Sequence, residues 1–140
     1  MERTFEVAAS AGTVLDYLAD FGNTEQWDPA TQRSVRLDTG SVTRGATWRN
    51  TTKFFGRTTE ITYTLHERED DTLVFLGENN TMTTTDTITV RPSGDGAVVT
   101  YHVDLDMHGI AVLATPAMKI GFEKLATETE RRMIEVLNHL

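Results

Sequence analysis

The chain has 140 residues, no cysteine and a formal net charge of -8, with 39% hydrophobic and 24% charged residues. A chain of this length buries roughly 68% of its unfolded surface, enough for one core and too little for two, so residues 1–140 are expected to form a single domain. The composition excludes a disordered chain, the missing thiols exclude disulfides, thiolate metal sites and a cysteine nucleophile, and the acidic balance argues against nucleic acid as a partner.

The N-terminus Met1-Glu2-Arg3-Thr4-Phe5-Glu6-Val7 has neither the basic nor the apolar stretch of a signal peptide. No run approaches the ~20 apolar residues of a bilayer span, so the expectation is a cytoplasmic protein without stable membrane insertion. Within that first stretch, Thr4-Phe5-Glu6-Val7 alternates as a short strand does. Ser10 stands at an N-cap position before Val14, Tyr17, Leu18 and Phe21, which recur at helical spacing. Asn23-Thr24-Glu25-Gln26 reads as a capping box that opens a one-turn helix carrying Trp27, and Asp28-Pro29 stops it.

From Gln32 to His108 the period changes to two, in runs rich in Thr, Val, Ile and Tyr. The predicted strands are 32–38, 45–55, 57–67, 72–79, 81–91 and 97–107, divided by Thr39-Gly40, Gly56, Asp70-Asp71, Asn79-Asn80 and Ser93-Gly94-Asp95-Gly96. Alternation places Val35, Leu37, Trp48, Phe54, Ile61, Tyr63, Leu65, Leu73, Phe75, Ile88, Val90, Val99, Tyr101, Val103, Leu105 and Met107 on one face. Threonines, His66, His102, Asp104 and Asp106 fall on the other, as on the wet side of an antiparallel sheet. Met118, Phe122, Leu125, Met133, Val136 or Leu137, and Leu140 then mark an amphipathic helix of about twenty-five residues. Thr115-Pro116 reads as its cap and first residue, or Ile110-Ala111-Val112-Leu113-Ala114 as an earlier turn kinked at Pro116.

The order is therefore β-αα-β6-α, an α+β domain with a twisted antiparallel sheet of about seven strands and a long C-terminal helix, which is the element order of the helix-grip fold with its internal cavity. Val14-Leu15-Asp16-Tyr17-Leu18-Ala19-Asp20-Phe21, then Glu25-Gln26-Trp27-Asp28-Pro29, resembles the entry pattern of the helix-grip superfamily of START, Bet v 1-like and polyketide cyclase/dehydrase-like proteins (SRPBCC). Thr85-Asp86-Thr87-Ile88-Thr89-Val90-Arg91-Pro92, with Gly94-Asp95-Gly96 and Val98-Val99-Thr100-Tyr101, resembles the penultimate hairpin of its bacterial cyclase/dehydrase-like members. The resemblance spans the chain and implies a small-molecule cavity, with Trp27 capping one end. The aromatase/cyclase branch uses an inward arginine on the strand that here carries Ile61-Tyr63-Leu65, and this strand offers Tyr63 or Leu65 instead. Arg57 is the nearest inward-phase guanidinium, expected at the rim.

Polar residues on the inward face carry the functional reading, because an unpaired polar group there costs about 1 to 3 kcal/mol and needs a partner. These are Asn50 and Thr52, Tyr63, Thr84 and Asp86, and Tyr101. Asp86, Tyr63 and Tyr101 are the candidate catalytic set, with Asp86 moving a proton and a tyrosine polarising a carbonyl. Trp27, Trp48, Asn50, Phe54, Phe75, Met118 and Phe122 join them as candidate ligand contacts, giving an apolar pocket with polar anchors. The tyrosines also read as core residues, Asp86 as a structural ion-pair partner of Arg57 or Lys53, and Trp27 as a pin for its helix.

The sequence thus predicts a binding module for a small hydrophobic molecule, with a cyclase, dehydratase or isomerase as the enzymatic alternative. Phe54-Phe55-Gly56-Arg57 puts two rings at a hairpin tip, a gate, a dimer contact or a weak membrane touch, which makes an interaction protein using this tip the third reading; the chain is expected as a monomer or homodimer. No cofactor is expected, and no metal, because His66, His102, His108 and His139 lack ligand spacing. No phosphate-cradling glycine loop or nucleophile elbow occurs.

Overall fold

The computed structural model describes residues 1–54 and 56–140. In chain order the elements are β1 (Glu2–Val7), α1 (Ala11–Ala19), a 3-10 turn (Phe21–Asn23), α2 (Thr24–Trp27), β2 (Thr31–Arg36), β3 (Thr47–Phe54), β4 (Arg57–Arg68), β5 (Thr72–Glu78), β6 (Met82–Ser93), β7 (Gly96–Met107), a second 3-10 turn (Gly109–Ala114) and α3 (Thr115–Leu137). The strands form one sheet in the order β1-β7-β6-β5-β4-β3-β2, each neighbour antiparallel. From β3 to β7 the meander needs only short turns, the longer loop 37–46 joins β2 to β3, and β1 closes the far edge against β7. In the β3–β4 hairpin Phe54 pairs with Arg57, and Gly56 takes the left-handed conformation, φ 73°, that glycine adopts without steric cost.

The alternation of β3 to β7 emerges as read, with Trp48, Ile61, Tyr63, Leu65, Leu73, Phe75, Ile88, Val90, Val99, Tyr101 and Val103 all buried. On β2 the phase is inverted. Thr31 and Ser34 are the buried residues, and Val35 and Leu37 stand 39% and 44% exposed. A register shift between Thr31 and Arg33 causes this, leaving Val35 opposite the outward Arg49 and Ser34 opposite the inward Asn50. The Ser34 hydroxyl donates to the Phe21 carbonyl, and its amide donates to the Glu25 carboxylate.

The caps also differ from expectation. Asn23 is helical and makes no cap bond; its amide donates to the Tyr17 carbonyl, while the Gln26 side chain accepts from the Tyr17 hydroxyl. The capping box is thus replaced by a tie back to α1. Ser10 does occupy the N-cap position of α1, but its hydroxyl donates to the Thr13 hydroxyl rather than accepting a backbone bond. Ala114, not Thr115, occupies the cap of α3, Pro116 lies in its first turn, and the run Gly109–Ala114 is a separate 3-10 segment. Of the expected apolar stripe of α3, Leu140 lies beyond the helix and is 47% exposed, and Leu137 rather than Val136 is the buried member of its pair.

The inner face of the sheet is covered unequally. Phe21, in the turn after α1, packs at a tilt with its ring centroid 4.2 Å from that of Tyr63 and 4.6 Å from that of Phe75, with Trp48 6.1 Å away, so rings fill the space over β3, β4 and β5. Met133 and Leu137 bring the C-terminal half of α3 into the same core. Tyr63 fits because its neighbour across the strand is Gly77: a Cβ there would lie 2.6 Å from Cε1 of Tyr63 and 2.7 Å from Cγ2 of Thr84. Gly77→Ala is therefore expected to destabilise the protein by about 1 to 3 kcal/mol through overpacking, measured as a lower urea midpoint with unchanged slope.

Candidate functional site

The inner face left uncovered by Phe21 and the C-terminal half of α3 encloses a cavity of about 360 Å³. Its walls come from the inward phase of the long strands: Ile61 and Tyr63 of β4, Met82, Thr84 and Asp86 of β6, and Tyr101, Val103, Leu105 and Met107 of β7. Met118, Phe122, Leu125 and Thr129 of α3 form the facing wall, spaced by three or four residues so that they share one side of the helix. Phe54, at the end of β3, stacks on Phe122 with centroids 5.2 Å apart, joining the hairpin to α3 at the cavity's side. Arg57 lies at this rim and is exposed.

Asp86 is 4% exposed. The Tyr101 hydroxyl donates to its Oδ2 at 2.8 Å and the Thr84 hydroxyl to its Oδ1 at 3.1 Å. Thr84 and Asp86 share the inward face of β6, which sets the first bond within the strand, and Ile88, the next inward residue, pairs with Tyr101, so the β6–β7 register sets the second. Burial raises the Asp86 carboxyl to about 6 against the lowering effect of these two donors, and the nearby Asp28 adds to the rise. Burial likewise pushes the Tyr63 and Tyr101 hydroxyls well above the usual phenol range, with the Asp86 charge in the same sense. Both phenols remain protonated donors.

Asp28 is a second cavity carboxylate that the inward-face reading passed over. It accepts from the Ala30 amide at 3.0 Å and from the Thr31 hydroxyl at 2.8 Å, and burial raises it above the ordinary carboxylate range. It sits at the corner between α2 and β2, where neither helical nor strand period applies. The available signal was the Asp-Pro stop itself, since a carboxylate there points back over the sheet that α2 covers.

Asp86, Tyr63, Tyr101, Phe54, Met118 and Phe122 thus come together around one volume, and Trp27, Trp48, Asn50 and Phe75 do not line it. Trp48 and Phe75 are locked into the ring cluster under Phe21. Trp27 stands behind the wall, edge-on to Tyr101 at 5.5 Å, and so supports the tyrosine that holds Asp86. Asn50 is 1% exposed and works at one remove: its amide donates to the Thr31 hydroxyl at 3.1 Å, Thr31 donates to Asp28, and Thr52, itself in the cavity wall, donates to Asn50. Phe55 lies outside the described residues. Asp86 forms no ion pair with Arg57 or Lys53 among the described residues. Among the same residues no group of three or more His, Cys, Asp or Glu side chains could hold a metal, and no helix is long and apolar enough to cross a membrane.

The family model described as "Polyketide cyclase / dehydrase and lipid transport" matches residues 1–137. A search of the curated proteins finds no match. Among solved structures the fold is shared with a START superfamily protein from Mycobacterium smegmatis, at 20% identity and a TM-score of 0.75, covering 99% of this chain and 94% of that one. The Zhui aromatase/cyclase from a Streptomyces species is 16% identical with a TM-score of 0.76, over 98% of this chain and 92% of that one. A STAR-related lipid transfer protein from Xanthomonas axonopodis is 17% identical with a TM-score of 0.73, over 97% and 84%. The architecture is that of the START/Bet v 1-like helix-grip fold.

The raised Asp86 carboxyl has a stability consequence with a definite sign. Its ordinary value is 3.8 and its folded value about 6, so the native state binds more proton than the unfolded state between those limits. Stability is then full below about pH 4, falls as pH rises to about 6, and stays reduced above it. Asp86→Asn removes that loss. The variant is expected to exceed the parent in urea stability at about pH 7.5 by up to about 3 kcal/mol, and to show no such gain at about pH 3.5.

Proposed function

The chain belongs to the polyketide cyclase/dehydrase and lipid transport family, and we propose that it binds a small lipophilic molecule, polyketide-like, lipid-like or aromatic, in the cavity between β4, β6, β7 and α3. The observation that carries this reading is the make-up of the wall. Ile61, Met82, Val103, Leu105, Met107, Met118, Phe122 and Leu125 supply an apolar surface, and a few fixed polar groups break it. A volume of about 360 Å³ falls within the range of small-molecule sites, and mostly apolar walls with few polar groups are their usual composition. Burying such a ligand gains roughly 25 cal/mol per Å² of apolar surface removed from water, while the polar groups fix its orientation.

Leu125→Trp tests the reading directly, because Leu125 projects from α3 into the cavity without belonging to the fully buried core. The parent is expected to show a rise in melting temperature with at least one of a panel of polyketides, fatty acids, sterols and flavonoids. The Leu125→Trp variant, still folded by circular dichroism, is expected to lose that rise. A parent that responds to none of the panel would sink the proposal.

A second reading, acid–base catalysis of the cyclase, dehydratase or isomerase type, is favoured by one observation: a carboxyl poised at about 6 and hydrogen-bonded to a phenol inside an apolar cavity. Such a group is ionised at neutral pH yet close enough to it to exchange protons efficiently. In this reading Asp86 takes the proton and Tyr63, whose hydroxyl has no protein partner among the described residues, polarises a substrate carbonyl. With a turned-over polyketide-like substrate, Asp86→Asn is expected to lower kcat by 10²- to 10⁴-fold. An unchanged kcat would remove Asp86 as the base.

A further inference from the structure

We infer that the polar end of the cavity recognises a protonated amine, so that the lipophilic ligand is a base rather than an acid; this rests on the binding reading above and names the ligand class it leaves open. Two carboxylates, Asp28 and Asp86, reach the same cavity from different elements, the α2–β2 corner and the middle of β6. Each holds two protein donors, the Ala30 amide and Thr31 hydroxyl on one, the Thr84 and Tyr101 hydroxyls on the other. A carboxylate offers about four acceptor sites, so each retains capacity toward the cavity.

An independent observation points to a ligand at the same place. Tyr63 is 8% exposed and lines the cavity, and its hydroxyl has no protein partner among the described residues. A phenol oxygen accepts as well as donates. Three acceptors on three elements, Asp28, Tyr63 of β4 and Asp86, correspond in number to the three N–H donors of an ammonium group.

The cations nearby do not already fill this role. Arg57 is exposed at the rim, and the Met1 ammonium, the other basic group in the wall, donates to the Val103 carbonyl at 3.2 Å. Arg132 acts on Asp28 from α3, but it does not line the cavity and lies 3.3 Å from Glu128. Nothing positive faces Asp86 from β6, β7 or β4 among the described lining residues beyond that rim arginine. An amine would therefore neutralise the buried Asp86 charge that the protein leaves bare, where a carboxylate ligand would bring further negative charge beside two carboxyl groups with one phenol to receive it.

The test is a series with one apolar chain and three ends, decylamine, decanol and decanoic acid, below their micellar concentrations. Each is titrated at about pH 7.5 by isothermal calorimetry into the parent, Asp86→Asn, Asp28→Asn and the cavity-filling Leu125→Trp. The amine is expected to bind about tenfold or more tighter than the acid, with the alcohol between them. Asp86→Asn and Asp28→Asn should each weaken the amine about tenfold and narrow the gap to the acid, and Leu125→Trp should abolish amine binding. Acid binding as tight as the amine in the parent overturns the inference while leaving the cavity reading intact. Amine binding that survives Leu125→Trp shows attraction to the acidic surface and overturns it as well. Binding of none of the three overturns the inference, and the cavity reading then stands or falls on the panel of polyketides, fatty acids, sterols and flavonoids.

Discussion

One helix is too narrow for this sheet. Seven strands at about 4.8 Å spacing span roughly 29 Å, whereas a helix with its side chains is about 10 to 12 Å across. α3, with 23 residues, runs about 35 Å and matches the long strands in length but not the sheet in width. Whatever else covers the inner face decides where solid core ends and open space begins. α1 and the turn that follows it supply that cover at one end, with Phe21 as the wedge between Trp48, Tyr63 and Phe75. At the other end, among the described residues, the rings of Phe54 and Phe122 stack on each other in the cavity wall rather than fill the space, and the gap between β4, β6, β7 and α3 persists as the cavity.

The polar groups of that gap are held from behind, which is why they occupy fixed positions. Asp86 depends on Tyr101 and Thr84, and Tyr101 leans on Trp27 from the short helix. Asp28 depends on Thr31, Thr31 on Asn50, and Asn50 also binds Thr52. Both arrays run through α2 and its exits, so the one-turn helix that carries Trp27 and ends at Asp28 orients both carboxylates. Its own hold on the sheet comes from Thr24, whose hydroxyl donates to the Phe21 carbonyl and accepts from Asn50, and from Glu25, whose carboxylate accepts from the Ser34 amide of β2. Replacing either carboxylate by an apolar group would strand donors that have no other partner, at a cost of about 1 to 3 kcal/mol each.

The fold was legible because strands of twelve residues repeat their inward phase often enough to be unmistakable, as in Ile61-Tyr63-Leu65 or Val99-Tyr101-Val103. It failed on β2, where six residues and one register shift gave the apolar Val35 and Leu37 to solvent. The site was legible to the same extent and for the same reason. Tyr63, Asp86 and Tyr101 are inward on long strands, so alternation alone brings them to one side of the sheet. Trp48 and Phe75 share that phase, yet whether an inward ring meets ligand or core depends on where Phe21 lands, a tertiary fact with no local signature. Asp28 was missed because a corner between a helix and a strand has no period.

β6 itself shows how the cavity is written into the chain. Its inward residues run Met82, Thr84, Asp86, Ile88, Val90, with the polar pair Thr84 and Asp86 over the cavity and the apolar pair Ile88 and Val90 beneath α1. Changing Asp86 to an aliphatic residue would continue the core pattern, and burial of a charge without a counter-cation is a loss that folding alone gives no reason to carry. Departures of this kind from local rules are expected where a protein acts rather than where it is merely held together. The Thr84 hydroxyl and Tyr101 phenol that meet Asp86 reduce the loss without cancelling it, since the carboxyl still lies at about 6. What remains is a free-energy difference that a bound donor or cation can recover, and the apolar walls around it determine which molecules can deliver one.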